Sequence, residues 1–117
     1  MRRNKWNNRK IEYDNIKFDS KAELSRYKEL KILEKIGEIN SLEVHPRYKI
    51  MDKVSHNGKT YRARHYTADF RYKRGEKITV VEEVKNNHNA KEPAYRLRMH
   101  RFLELYGNEL IFKEVIK

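Results

Sequence analysis

Asp69 and the triplet Glu83-Val84-Lys85 are the residue types that metal-assisted hydrolysis requires. The stretch from Tyr61 to Lys85 alternates as two extended segments around a short polar turn, Lys73-Arg74-Gly75-Glu76. Glu83 and Lys85 are two apart, so on a strand they point to one face. A three-residue turn sets Asp69 opposite Val81, and a five-residue turn sets it opposite Glu83. In either register Asp69 shares the face of Glu83 and Lys85. Facing positions on paired strands lie roughly 4.5–5.5 Å apart, the scale on which two carboxylates share a cation. Mg²⁺ takes hard oxygens and keeps several waters, so one or two carboxylates and a backbone carbonyl, here that of Val84, suffice. Mn²⁺ is the expected substitute. Lys85 would orient the attacking water or stabilise developing charge.

These residues depend on the elements around them. Ser20-Lys21-Ala22-Glu23 has capping-box spacing and opens a helix whose buried stripe is Leu24, Tyr27, Leu30, Leu33 and Ile36. Gly37 ends it. Glu23 sits at the edge of that stripe and is the best candidate for a further acid, as a ligand directly or through a water. A strand is expected from Leu42 to Met51, with Pro46 implying an edge or a bulge. Asn57-Gly58 marks a hairpin turn. Strands over 61–72 and 77–85 follow, then a helix over 93–106 and a strand over 110–116. Tyr66, Phe70 and Tyr72 alternate on one face of the first of these strands and are expected in the core, and Ile78, Val80 and Val84 would pack on the core from the second. The buried face of the second helix is Tyr95, Met99, Phe102, Leu103 and Tyr106. The expected fold is α/β in the order α-β-β-β-α-β, a mixed sheet flanked by helices, the last strand parallel to an inner one. Upstream, Ile11 to Phe18 looks like a small hairpin turning at Asp14-Asn15.

Composition sets the partner. The 117 residues make one domain, and 28 Lys and Arg against 17 acids leave a net charge of +11. Such a field concentrates polyanions, so DNA leads, and the electrophile that suits it is a phosphodiester. Apolar runs are too short for a membrane span, and with no Cys there is no thiolate metal site or cysteine nucleophile. A cytoplasmic protein is expected. Residues 1–15 form a basic arm and 16–117 the domain. Within the arm, Arg2, Arg3 and Lys5 would contact DNA, and Trp6 would stack on a base. Arg62 and Arg64 lead towards Asp69 and would line the same cleft. Lys91, Arg96, Arg98 and Arg101 lie downstream of Lys85, where a phosphate backbone could run. The five His lack zinc-site spacing.

Acid–lysine pairs on adjacent strands also occur as surface ion pairs of little energy, and the capping box alone would account for Glu23. Agreement among helix, strand order, hairpin parity and charge favours the catalytic reading.

With Phe18-Asp19-Ser20-Lys21-Ala22-Glu23, Tyr66-Thr67-Ala68-Asp69-Phe70 and Val80-Val81-Glu82-Glu83-Val84-Lys85 in hand, the chain resembles the PD-(D/E)xK nuclease superfamily. It looks most like a group of small phage-encoded endonucleases, over about residues 16–116. The resemblance implies a restriction-endonuclease-like core, Asp69 and Glu83 as metal ligands, and Lys85 at the water. Glu23 would match the helix acid of archaeal-type Holliday junction resolvases. The implied activity is Mg²⁺-dependent, structure-selective DNA cleavage by a homodimer in the host cytoplasm, with four-way junctions as substrate. Flaps, nicks or plain duplex are alternative substrates, and an inactive DNA-binding accessory protein is the alternative class. Ala68 stands where proline is usual, and parity turns Glu82 away from the site. His45-Pro46 replaces the glutamine-proline expected of these phage proteins and is given no role.

Overall fold

The structure, a computed structural model, describes residues 10–85 and 93–117. Its elements in order are β1 (Ile11–Tyr13), β2 (Ile16–Phe18), α1 (Lys21–Lys35), β3 (Asn40–Val44), β4 (Arg47–Met51), β5 (Val54–His56) and β6 (Lys59–Tyr61). Then come β7 (Arg64–Thr67), β8 (Phe70–Arg74), β9 (Ile78–Lys85), α2 (Pro93–Tyr106), a 3-10 turn (Gly107–Glu109) and β10 (Ile111–Ile116). The chain is mixed α/β with two α-helices, and it is richer in strands than the sequence suggests. No helix among the described residues is long and apolar enough to cross a membrane.

The central sheet has the order β10-β9-β8-β3. β3 and β8 pair antiparallel, as do β8 and β9, whereas β10 runs parallel to β9 after the α2 crossover. The β1–β2 hairpin turns at Asp14-Asn15, both at positive φ. That turn lies at the composition boundary between arm and domain, so Ile11–Tyr13 pair directly with β2.

Two expected strands are each broken. The segment 42–51 divides at His45-Pro46 into β3 and β4, and 61–72 divides at Ala68-Asp69 between β7 and β8. Proline has no N–H to give a ladder, and His45 takes a left-handed φ of 59°. The breaks face each other. His45 N–H donates to the Asp69 carbonyl at 2.9 Å, and Ala68 N–H donates to the Pro46 carbonyl at 3.0 Å. The whole ribbon therefore bends as a unit and passes from one layer of the core to the other.

That bend explains a correction. Tyr66, Phe70 and Tyr72 do not share a face, because side-chain parity does not carry across the break. Phe70 and Tyr72 pack with Phe18, Tyr27, Leu30 and Val80 under α1. Tyr66 joins Ile50, Val81 and Phe102 under α2. Val80 and Val81 are both fully buried, so β9 is covered on its two faces. Ile36 and Ile78, expected in the core, are exposed, since each lies at an element's end.

Glu82, on the α1 side of β9, is fully buried. Arg26 of α1 grips both its oxygens, at 2.8 and 2.7 Å, and the Tyr72 hydroxyl donates to it as well. A buried pair of this kind costs desolvation to form and far more to break. Arg26→Ala is expected to destabilise the protein by about 3 kcal/mol or more in urea titration. An unchanged midpoint would mean that this pair does not lock α1 to β9.

Candidate metal centre

Ser20 caps α1 by accepting the Glu23 N–H at its Oγ, 3.1 Å away. That fixes Glu23 in the first turn, buried, with its carboxylate directed at the bend rather than at solvent. One Glu23 oxygen lies 3.4 Å from His45 Nε2. Asp69, also buried, stands beside both. One ligand atom from each of Glu23, His45 and Asp69 falls within 4.8 Å of the others, a cluster that could hold a metal ion.

Asp69 is tied down on several sides. Its carbonyl accepts from His45, its N–H donates to the Glu82 carbonyl at 3.1 Å, and its Oδ2 accepts the Val84 N–H at 2.7 Å. Phe70 pairs with Glu82 as the last pair of the β8–β9 ladder, and Asp69 lies just beyond it, within reach of the Glu83 charge. The Tyr66 hydroxyl holds Glu83 Oε1 at 2.6 Å. Burial pushes the Asp69 carboxyl up to about 9, with the charges of Glu83 and then Glu23 adding to the effect; only the Val84 N–H opposes them. Asp69 thus carries a proton at neutral pH unless another cation takes its place. The His45 imidazole is raised because Glu23 accepts its hydrogen bond and favours its charged form, against the effect of burial. The donor set fits a divalent cation: crowded carboxylates that repel one another are relieved by a positive ion at their centre.

Lys85 follows Glu83 on β9, and its ammonium lies 3.0 Å from a Glu114 oxygen. Glu114 is next to Glu83 in the parallel β9–β10 register and also accepts from the Tyr95 hydroxyl at 2.9 Å. Burial, followed by the charge of Glu83, raises the hydroxyls of both Tyr66 and Tyr95.

The structure places Glu23 and Asp69 together with His45, and Glu83 near enough for its charge to act on Asp69, with Lys85 two residues further along β9. Val84 takes part through its N–H. His45, set aside in the sequence, is inside the cluster; Pro46 signalled a break beside it, but no local signal placed its imidazole at Glu23. Tyr66 and Glu114 were missed as polar partners because they sit on apolar alternations. Arg62 and Arg64 are not at the cleft. Arg64 pairs with Met51 at the far end of the β4–β7 ladder from Asp69. Arg96 and Arg98 are exposed on α2, whereas Arg101 is half-buried and donates to the Ile50 carbonyl at 3.1 Å. Arg2, Arg3, Lys5, Trp6 and Lys91 lie outside the described residues.

A model of proteins of unknown function, DUF1064, matches residues 3–114. The chain belongs to the DUF1064 family. Comparison with curated proteins and with solved structures gave no match. The matched residues include every group of the candidate site, from Glu23 to Glu114.

The sign of Asp69's effect on stability follows from its raised carboxyl. An unfolded aspartate ionises near pH 4, whereas the folded one holds its proton to about 9. Its stabilising contribution is complete below about pH 4 and is lost as pH rises towards 9. In EDTA, Asp69→Asn is expected to melt higher than the natural protein at about pH 8, by roughly 4 °C or more, and to match it near pH 4. Equal melting temperatures at both pH values would refute the raised carboxyl.

Proposed function

We propose that this protein is a divalent-metal-dependent endonuclease that hydrolyses DNA phosphodiesters at the Glu23–Asp69–Glu83 cluster. The observation that carries the reading is the buried Asp69 carboxylate. It is flanked by Glu23 and His45, with the Glu83 charge acting on it and Lys85 two residues beyond Glu83 on β9. The order of the elements around the central sheet, α1, β3, β8, β9, α2, β10, supports it. The reading takes β4 to β7 as an insertion and the remaining elements as the helix-strand-strand-strand-helix-strand series of the restriction-endonuclease-like core which the sequence resembles. The net charge of +11 suits a polyanionic substrate.

Hard carboxylate oxygens suit Mg²⁺ or Mn²⁺, whereas imidazole suits softer ions. Under this reading Glu23, Asp69 and Glu83 are ligands, and His45 positions Glu23 through its hydrogen bond. The bound ion would polarise a phosphoryl oxygen and supply a water that ionises near neutral pH. The Val84 N–H orients Asp69, and the Tyr66 hydroxyl orients Glu83. Lys85 releases Glu114 to neutralise charge on the phosphate or to align the water. Four-way junctions are the substrate to which the resemblance points, and symmetric cutting of one takes two copies of the site.

A second reading rests on the Lys85–Glu114 pair, which commits the ammonium elsewhere. It is a DNA-binding accessory protein that keeps the fold without the activity. Mn²⁺ uptake by titration calorimetry favours the enzyme, and absence of uptake favours the accessory protein.

Labelled junction, flap, single-stranded and duplex DNAs incubated with Mg²⁺ provide the direct test. Asp69→Ala and Glu83→Ala are each expected to lower cleavage at least about a hundredfold while junction binding survives. Cleavage persisting in EDTA would overturn the metal-dependent reading, and equal cutting of all four DNAs would remove the junction preference.

A further inference from the structure

Beyond β4, the ribbon leaves the body of the protein. All residues from Met51 to Arg62 are exposed, and neither apolar core includes a residue from 51–64. β5 and β6 form a sheet of their own, pairing Val54 with Tyr61, Ser55 with Thr60 and His56 with Lys59. The turn is Asn57-Gly58, with φ of 51° and 79°, the doubly left-handed pair that a two-residue hairpin needs. A two-stranded hairpin without core contact is marginal in water, so packing does not explain this one.

Its surface does point to a partner. Between positions 47 and 64 stand Arg47, Lys49, Lys53, Lys59, Arg62 and Arg64. The one acid, Asp52, is taken by Lys49 at 2.6 Å. We propose that the β5–β6 ribbon grips duplex DNA, lying in the major groove with its cations on the flanking phosphates. A two-stranded ribbon is one of the two elements that this groove admits. Tyr61 is the ribbon's lone aromatic, too little for the stacking platform that single strands call for. Val54 and Tyr61 alone give an apolar face too small to enter a bilayer interface.

The proposal deepens the nuclease reading by naming the part of the substrate held away from the cut, and it rests on that reading only for its distance from the cut. From His45 to Asn57 the chain spans at most about 40 Å, close to one turn of duplex.

The variant Lys53→Gln, Lys59→Gln, Arg62→Gln changes exposed side chains only, and an unchanged melting temperature checks that it folds. Binding of a labelled duplex and of a single strand of equal length is read by fluorescence anisotropy in EDTA across a salt series. Hydrolysis of bis(p-nitrophenyl) phosphate with Mn²⁺ is measured in parallel, since that substrate has no groove. Duplex affinity is expected to fall at least about tenfold at 0.1 M salt, with the log–log salt slope smaller by about 2–3. Small-diester hydrolysis is expected to be unchanged. Unaltered duplex affinity and slope, or a loss confined to the single strand, would overturn the grip. If neither protein hydrolyses the small diester, the nuclease reading fails, and the duplex titration still decides the ribbon.

Discussion

Everything at the site depends on one constraint: two strand breaks, His45-Pro46 and Ala68-Asp69, are hydrogen-bonded to each other. A break in one strand alone would leave an unpaired carbonyl and an unpaired N–H inside the protein, each costly to bury. Here the break in one chain supplies what the break in the other lacks. The ribbon turns without losing its ladder, and at the turn both strands present side chains to the first turn of α1. The left-handed backbone at His45 is the cost of that geometry. Strain of this kind persists where surrounding structure over-determines it.

The electrostatics of the turn run against those of the chain. A protein with a large cationic surplus has enough ammonium and guanidinium groups to neutralise every carboxylate, and Glu82 receives an arginine. Asp69 and Glu23, a few ångströms away, receive backbone N–H groups, an imidazole and each other. This allocation leaves the Asp69 carboxyl holding a proton against its ordinary tendency, one that a cation would displace. Strongly perturbed carboxyls gather at functional sites, and that is the physical ground of the function proposed above.

Much of this was legible from spacing. The Glu83–Lys85 parity survived because both residues lie on unbroken β9, in continuous register with β10, and the Ser20–Glu23 interval marked the start of α1. What failed was continuity. Two runs that read as long strands each contain a break, and parity cannot be carried past one, which is why Tyr66 was assigned to the same face as Phe70. Pro46 announced the break, but nothing local indicated that His45 would meet Glu23 across it. Glu82 was placed correctly away from the site, yet the far face proved to be a second buried layer. The charge of the β5–β6 ribbon was visible residue by residue. Its isolation was not, since a hairpin packed on a core has the same turn signal.

β10 runs parallel to β9, so it reaches its place only after the whole α2 crossover has been made. It brings Glu114 to Lys85, while Lys117 donates its N–H to the Lys85 carbonyl at 2.8 Å. During synthesis, the helix acid, the bend and β9 leave the ribosome well before this partner does. The lysine end of β9 therefore acquires its native surroundings late, once translation has passed β10. Under the nuclease reading proposed above, that order withholds a competent Lys85 until β10 has paired with β9.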